Sequence, residues 1–234
     1  MQLRGHAELP NTPIRIDWDT RELIRREALE SLGLRKLGVY SPSSIRGCKR
    51  ALYYSRIGVE PELNWDDEML ALFRLGHIIH DMRQRDFALL YPGFVPETPV
   101  CIEELGIAGH SDGVFVNEVW NLEIKTVGDS TFKSTTSPKK DHKFQATCYM
   151  KALGIPRTLF VYINRNNGQE EVYPYSFQPE IWDEIVEIVT GVESKVRAGV
   201  PPEKEVSAWK CKRCPYLHAC QPFGEKSKST WRRV

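Results

Sequence analysis

The 234-residue sequence has almost no excess charge of either sign, since 32 Lys and Arg stand against 31 Asp and Glu for a formal net charge of +1. Without an overall basic field, any surface for nucleic acid has to be local. No apolar run reaches membrane-spanning length, so no helical span and no membrane partner are expected. The opening MQLRGHAELPNTP lacks the apolar core of a secretory signal, so the expected localisation is cytoplasmic. There the six cysteines are better suited to be thiols or ligands than disulfides. No internal repeat or long low-complexity run is present, and the apolar and charged fractions are those of an ordinary globular chain. The length allows one well-cored domain with additions, or two small ones. The expected organisation is an arm and helix over residues 1–40, a main domain over 41–203, and a cysteine segment with a basic tail over 204–234.

What is present is organised around residues 109–125, GHSDGVFVNEVWNLEIK. Apolar and polar residues alternate with a period near two along 114–116 and 119–125, and Asn117-Glu118 falls where a hairpin would reverse. With that pair as a two-residue loop, Asp112 lies opposite Glu123. Lys125 shares their face, because side chains two apart on a strand point the same way. The other face collects Phe115, Trp120, Leu122 and Ile124 for burial. Carboxylates directly opposed across a ladder repel, so a hard divalent cation, Mg2+ or Mn2+, is expected between them on this solvent face. Such an ion lowers the pKa of a bound water and stabilises charge on a phosphate, and Lys125 adds a point charge near the reacting oxygens. The plain alternative is a half-exposed hairpin with solvated charges.

Residues 1–16 show no periodicity and read as a loose arm, followed by a charged helix from a cap at Asp19-Thr20 to Gly33. Residues 41–44 read as the cap of a helix carrying Cys48, Lys49, Arg50 and Tyr53-Tyr54. That mix suits nucleic acid, with core packing the plainer role for the tyrosines. Residues 66–90 form the longest helical segment, with Met69, Leu72, Phe73, Ile79 and Phe87 as its stripe. It carries His77 and His80, three apart, so that both could approach one site or merely pack. A strand at 99–103 precedes the hairpin. Residues 128–140, rich in Ser, Thr and Lys, read as a mobile loop close behind Lys125. Lys133, Lys139, Lys140 and Lys143 are therefore the expected phosphate contacts, while Lys226, Lys228, Arg232 and Arg233 read as a solvated tail. A helix with Phe144, Gln145, Tyr149 and Leu153 follows, then a buried strand at 158–163, an edge strand at 170–177 and a helix from Pro179 to Gly199. From residue 66 to 163 the order is helix, three strands, helix, strand.

Cys211, Cys214 and Cys220 make a C-x2-C-x5-C triplet, in which the closely spaced first pair presents two sulfurs to one centre. The fourth ligand is Cys48 or His218, and the centre is zinc or an iron-sulfur cluster. Cys101 and Cys148 lie in patterned elements and read as small core residues.

Together these residues resemble the PD-(D/E)XK nuclease superfamily, and within it the RecB-like iron-sulfur exonucleases, including the CRISPR-associated exonuclease family. The resemblance spans roughly residues 40–222. It rests on a helix histidine four after a glycine, which selects His80; on G-x-x-D at Gly109 and Asp112; on E-x-K at Glu123 and Lys125; on Gln-x-x-x-Tyr at Gln145 and Tyr149; and on a lone Cys48 with the C-terminal triplet. The chain departs from the pattern at Ser111 and Lys49, where relatives commonly carry proline. The resemblance implies an α/β fold with a restriction-endonuclease-like αβββαβ core, N-terminal helices and a C-terminal iron-sulfur segment. It implies that His80, Asp112, Glu123 and the carbonyl of Ile124 hold Mg2+ or Mn2+ and that Lys125 positions or activates water. Gln145 and Tyr149 then orient DNA or the site, and Cys48, Cys211, Cys214 and Cys220 hold a 4Fe-4S cluster, with Zn2+ the alternative. The implied activity is a metal-dependent DNA exonuclease acting on single strands or ends, in phage or prokaryotic DNA processing, recombination or spacer acquisition. DNA and integrase or recombination proteins would be its partners, with a homo-oligomer left open. The competing readings are a non-catalytic iron-sulfur DNA-binding or assembly module and a zinc-stabilised adaptor.

Overall fold

The computed structural model describes residue 26 and residues 38–220, apart from 64 and 205–207. The expected helix over residues 19–33, of which only the helical Arg26 is described, and the basic tail lie outside that range. Helix α1 (Lys49–Arg56) is entered through Cys48 in extended backbone; residues 41–44 do not cap it, because Pro42–Ser44 close a separate 3-10 turn. Asp66 caps α2 (Asp67–Leu90), its carboxylate accepting the Met69 N–H at 2.9 Å, and Asp67 and Glu68 complement the helix dipole in the first turn.

Strands β1 (Phe94–Ile102), β2 (Ile107–Phe115), β3 (Trp120–Val127), β4 (Arg157–Asn164) and β5 (Glu170–Ser176) form one sheet in the order β1-β2-β3-β4-β5. All neighbours are antiparallel except β3 and β4, which run parallel. The crossover between those two carries α3 (Asp129–Ser134) and α4 (Lys140–Leu153). Helix α5 (Pro179–Ala198) starts on proline and stops at Gly199 in the left-handed region, and α6 (Ala208–Lys212) opens the cysteine segment. From α2 to β4 this is a helix, three strands, helices and a strand. Among the described residues no helix is long and apolar enough to cross a membrane.

The sheet separates two apolar layers. On one face Leu122, Ile124, Phe115, Phe94, Val161 and Ile163 pack under α2 through Ile79 and Phe87. On the other, Phe160 and Tyr162 join Phe144, Cys148 and Met150 of α4, Ile185 and Val189 of α5, and Leu52 and Tyr53 of α1. Tyr53 is thus core, as its plainer reading had it.

Four expectations change. Residues 128–140 are not a mobile loop throughout, because Phe132 is buried and folds Asp129–Ser134 into a helix. Strand β1 begins at Phe94, ahead of residue 99, because Phe94 joins the aromatic layer under α2. The hairpin reverses over residues 116–119, with Val119 at φ 57°, and keeps the register Gly113 to Leu122 that the shorter turn implied. Cys148 is fully buried, whereas Cys101, on edge strand β1, is exposed.

Candidate active site

The ladders on both sides of Asp112 stop at that residue. On the β1 side, Pro96 pairs with Gly113 and Thr98 with Ser111, but Glu97 sits at φ 46°, a left-handed conformation unusual for a residue with a side chain. On the β3 side, pairing runs from Phe115 and Trp120 only to Gly113 and Leu122. The freed groups are taken up by side chains. Buried Gln84 of α2 donates from Nε2 to the Asp112 carbonyl at 2.8 Å and to Glu97 Oε1 at 2.6 Å. The Ile124 N–H donates to Asp112 Oδ2 at 2.6 Å. The Asp112 carboxylate therefore sits in the opening between strands, and His80, one helical turn before Gln84, reaches its Oδ1 with Nδ1 at 3.4 Å. Gly76 lets α2 come this close: a Cβ there would lie 3.3 Å from Thr126 Oγ1 on β3.

Glu123 and Lys125 share the α4 face of β3. The expectation of a solvent face is not met, because α4 covers it and leaves Glu123 with 0 % exposure. The Lys125 ammonium bonds Glu123 Oε1 and donates to Gln145 Oε1 at 2.9 Å, and Gln145 Nε2 donates to the Tyr149 hydroxyl at 2.9 Å. Among the described residues, buried Glu123 Oε2 meets no hydrogen-bond donor. Burial, reinforced by the Asp112 charge, pushes the Glu123 carboxyl up to about 7 against the opposing Lys125 and His80 charges. Burial also works against the charged forms of His80, Asp112 and Lys125. Mutual attraction outweighs it, holding His80 and Lys125 above their usual ranges and Asp112 below its own. Burial first, then the Lys125 and Lys139 charges, drive His142 down to about 3, and its ring shares a 2.6 Å hydrogen bond with Tyr162.

Of the sequence-derived set, His80, Asp112 and the Ile124 backbone come together, and Glu123, Lys125, Gln145 and Tyr149 form a second connected chain. The two are in electrostatic contact. No three His, Cys, Asp or Glu side chains among the described residues stand in the arrangement of a ready-made metal site. The donor set still fits a hard divalent ion: an orphaned, fully buried carboxylate oxygen with raised proton affinity sits beside a second carboxylate and an imidazole. His77 instead turns back on its own helix, with Nδ1 3.0 Å from the Phe73 carbonyl.

Cys48, Cys211, Cys214 and Cys220 line one cavity of about 240 Å3 together with Tyr54, and none is in a disulfide. Burial, then the charges of the other three sulfurs, raise the Cys214 thiol. A thiol whose proton affinity is raised by neighbouring sulfurs is one that a shared cationic centre relieves, so Cys214 and its neighbours suit sulfur ligation. His218 faces Glu62 Oε2 at 3.5 Å. The segment is pinned to the domain by Glu62 N–H to the Pro215 carbonyl at 2.8 Å. Of the loop lysines, Lys133 pairs with Asp129 and Lys140 with Glu184, each at 2.8 Å, and Lys143 lies over the Tyr175 ring. Lys139 immediately precedes α4 and is near enough to act on His142.

Sequence reasoning missed Gln84, Glu97 and a cluster beside His80. Trp65, Phe73, Arg165 and Arg213 line a cleft of about 560 Å3 with His80 and Lys125 on its wall. Arg165 follows the last residue of β4, at the carboxyl end of the parallel pair, where open α/β sheets bind ligands. That placement was the available signal.

No family model matches the chain, and no curated protein matches it in sequence. Its architecture is similar to that of an alkaline exonuclease from Laribacter hongkongensis, with 17 % identity over 73 % of this chain and 93 % of that one and a TM-score of 0.56. The same exonuclease in complex with dAMP aligns with 18 % identity over 71 % and 91 % of the two chains, at a TM-score of 0.55. A crystal structure designated SSO0001 aligns with 17 % identity over 87 % of this chain and 96 % of that one, also at 0.55. At these identities the likeness is one of fold.

Proposed function

We propose that the protein is a metal-dependent nuclease that hydrolyses phosphodiester bonds of DNA, acting as an exonuclease on single strands or ends. The observation that carries this reading is the opening at Asp112, whose carboxylate meets the His80 imidazole at 3.4 Å and is in electrostatic contact with buried Glu123, which keeps an orphan oxygen and pairs with Lys125. Its fold, shared with a protein described as an alkaline exonuclease, supports the same reading.

His80, Asp112, Glu123 and the Ile124 carbonyl would hold Mg2+ or Mn2+. Such an ion supplies a nucleophilic water at neutral pH and charge stabilisation on the phosphate. The chain's own residues do the rest. Gln84 fixes the backbone of Asp112 through its carbonyl, and the Ile124 N–H fixes its carboxylate. Gln145, itself linked to Tyr149, holds Lys125 by a second bond, so the ammonium stays in the site when Glu123 turns to other partners. Lys125 then orients the attacking water or meets charge on the phosphoryl oxygens. Cys48 at the entry to α1 and the three cysteines of the C-terminal segment would hold an iron-sulfur cluster, or zinc, and clamp the ends of the domain together.

One observation favours the non-catalytic module instead: Lys125 is already engaged with Glu123. Incubation of purified protein with labelled single- and double-stranded DNA in Mn2+, Mg2+ or EDTA separates the two. The nuclease reading expects cleavage with metal, none in EDTA, and at least a hundredfold loss in Lys125→Ala with DNA binding retained. Wild-type rates in Lys125→Ala would contradict the assignment.

A further inference from the structure

The cleft beside His80 is basic and aromatic on a chain with almost no net charge. Its wall carries Lys125, Arg165 and Arg213, and no Asp or Glu is among its lining residues. Along one side runs a row of rings. Trp65 meets Phe73 edge-on with centroids 5.2 Å apart, and Phe73, one turn before His77 on α2, lies 4.2 Å from the His77 ring. Trp65 is half-buried and His77 exposed, so the row runs from the cleft out to solvent. The cations come from two other elements. Arg165 leaves the end of β4 with its N–H bonded to the Val127 carbonyl at 3.0 Å, and its guanidinium lies over Gly128. Arg213 is delivered by the cysteine segment, between Cys211 and Cys214.

Cations alone would fit any phosphate. Rings facing cations across one cleft fit a strand whose bases are unpaired and whose faces are free, because a duplex already stacks those faces on each other. We propose that this cleft is a single-strand platform on which Trp65, Phe73 and His77 receive nucleobases while Arg165 and Arg213 hold the phosphates. It rests on the nuclease reading of the same cleft for its direction, which leads the strand toward Lys125.

The test is binding of short labelled oligo(dT) and of a duplex of equal length to full-length protein, by fluorescence anisotropy in EDTA, where nothing is cleaved. Trp65→Ala is expected to weaken oligo(dT) roughly tenfold and leave the duplex within about twofold, while Trp65→Tyr keeps most of the affinity. Arg165→Gln and Arg213→Gln are each expected to reduce the salt slope of oligo(dT) binding by roughly 0.7. Wild-type affinity in Trp65→Ala, equal loss for duplex and single strand, or a wild-type protein that binds no oligo(dT) overturns the inference. Melting curves matching wild type tie any loss to the surface rather than to folding. Cleavage in Mn2+ is scored separately: cleavage with no effect of the platform variants sinks the platform alone, and ring-dependent binding without cleavage sinks the hydrolase alone.

Discussion

Glu123→Gln probes the site where its electrostatics are most exposed to measurement. In the folded, metal-free protein, burial lifts this carboxyl from an ordinary 4.5 to about 7. Between those values the folded chain keeps a proton that the unfolded chain has released, so the stability it contributes is complete below pH 4.5 and is lost as pH rises to about 7. At about 1.4 kcal/mol per pH unit the loss is roughly 3 kcal/mol. His80 adds to the same trend, since its raised pKa gives stability that is present below 6.5 and lost as pH climbs through the folded value. Asp112, held low, gives stability that disappears only in acid and stays out of this window. Urea melts in EDTA at pH 5 and pH 8 are thus expected to show wild-type stability falling with pH. The Glu123→Gln variant should fall less, by up to roughly 3 kcal/mol, and be the more stable protein at pH 8. Mn2+ should restore the wild type at pH 8, by about 2.7 kcal/mol at a hundred times its dissociation constant, and restore the variant far less. Equal pH slopes for the two proteins would refute the claim that Glu123 is buried with an unmet oxygen.

Gln84→Leu removes the donor shared by Glu97 and the Asp112 carbonyl, and should cost roughly 1–3 kcal/mol in a urea melt and lower cleavage without abolishing it. Gly113→Ala places a Cβ 2.3 Å from Phe94 Cζ, so the ring must move; a loss of about 1–3 kcal/mol by thermal melting is expected, and an unchanged melting temperature would show that the aromatic layer is loose. Cys48→Ala and Cys214→Ala should each abolish the visible absorbance of anaerobically purified protein and lower its melting temperature. Colourless wild-type protein with stoichiometric zinc would replace the cluster with a zinc centre.

Most of the fold was legible because strand and helix periods are written in the apolar residues: Leu122 and Ile124 alternate with Glu123 and Lys125, and the two sets lie on opposite faces of β3. Register was legible too, since moving the turn to residues 116–119 changed its length without changing which residues oppose each other. Burial of the polar face was not. A strand pattern says that two faces differ, and only the tertiary contact of α4 decides that the charged one is also covered. The positive φ at Glu97 carried no local sign, because a left-handed residue without glycine or asparagine is held there by its surroundings. Arg213 was hidden by its company: between two metal-binding candidates, a cation reads as spacing.

That last residue connects two parts of the molecule that the sequence treats as separate. Arg213 lines the cleft beside His80 and also the cavity around the four cysteines. The turn that holds it is built from Cys214 N–H to the Cys211 carbonyl and Leu217 N–H to the Cys214 carbonyl, bonds of 3.0 and 3.2 Å within a short, half-buried segment. So short a stretch has little apolar burial of its own beyond Tyr216, and a centre bridging Cys48 to the triplet would supply the missing cross-link. The state of the cysteine centre should therefore show in DNA affinity as well as in stability. Cys214→Ala ought to weaken oligo(dT) binding and reduce its salt slope by about the same 0.7 as Arg213→Gln, and the two substitutions combined should give little more than either alone. Full additivity in that double mutant would show that the segment holds its arginine without help from the sulfurs.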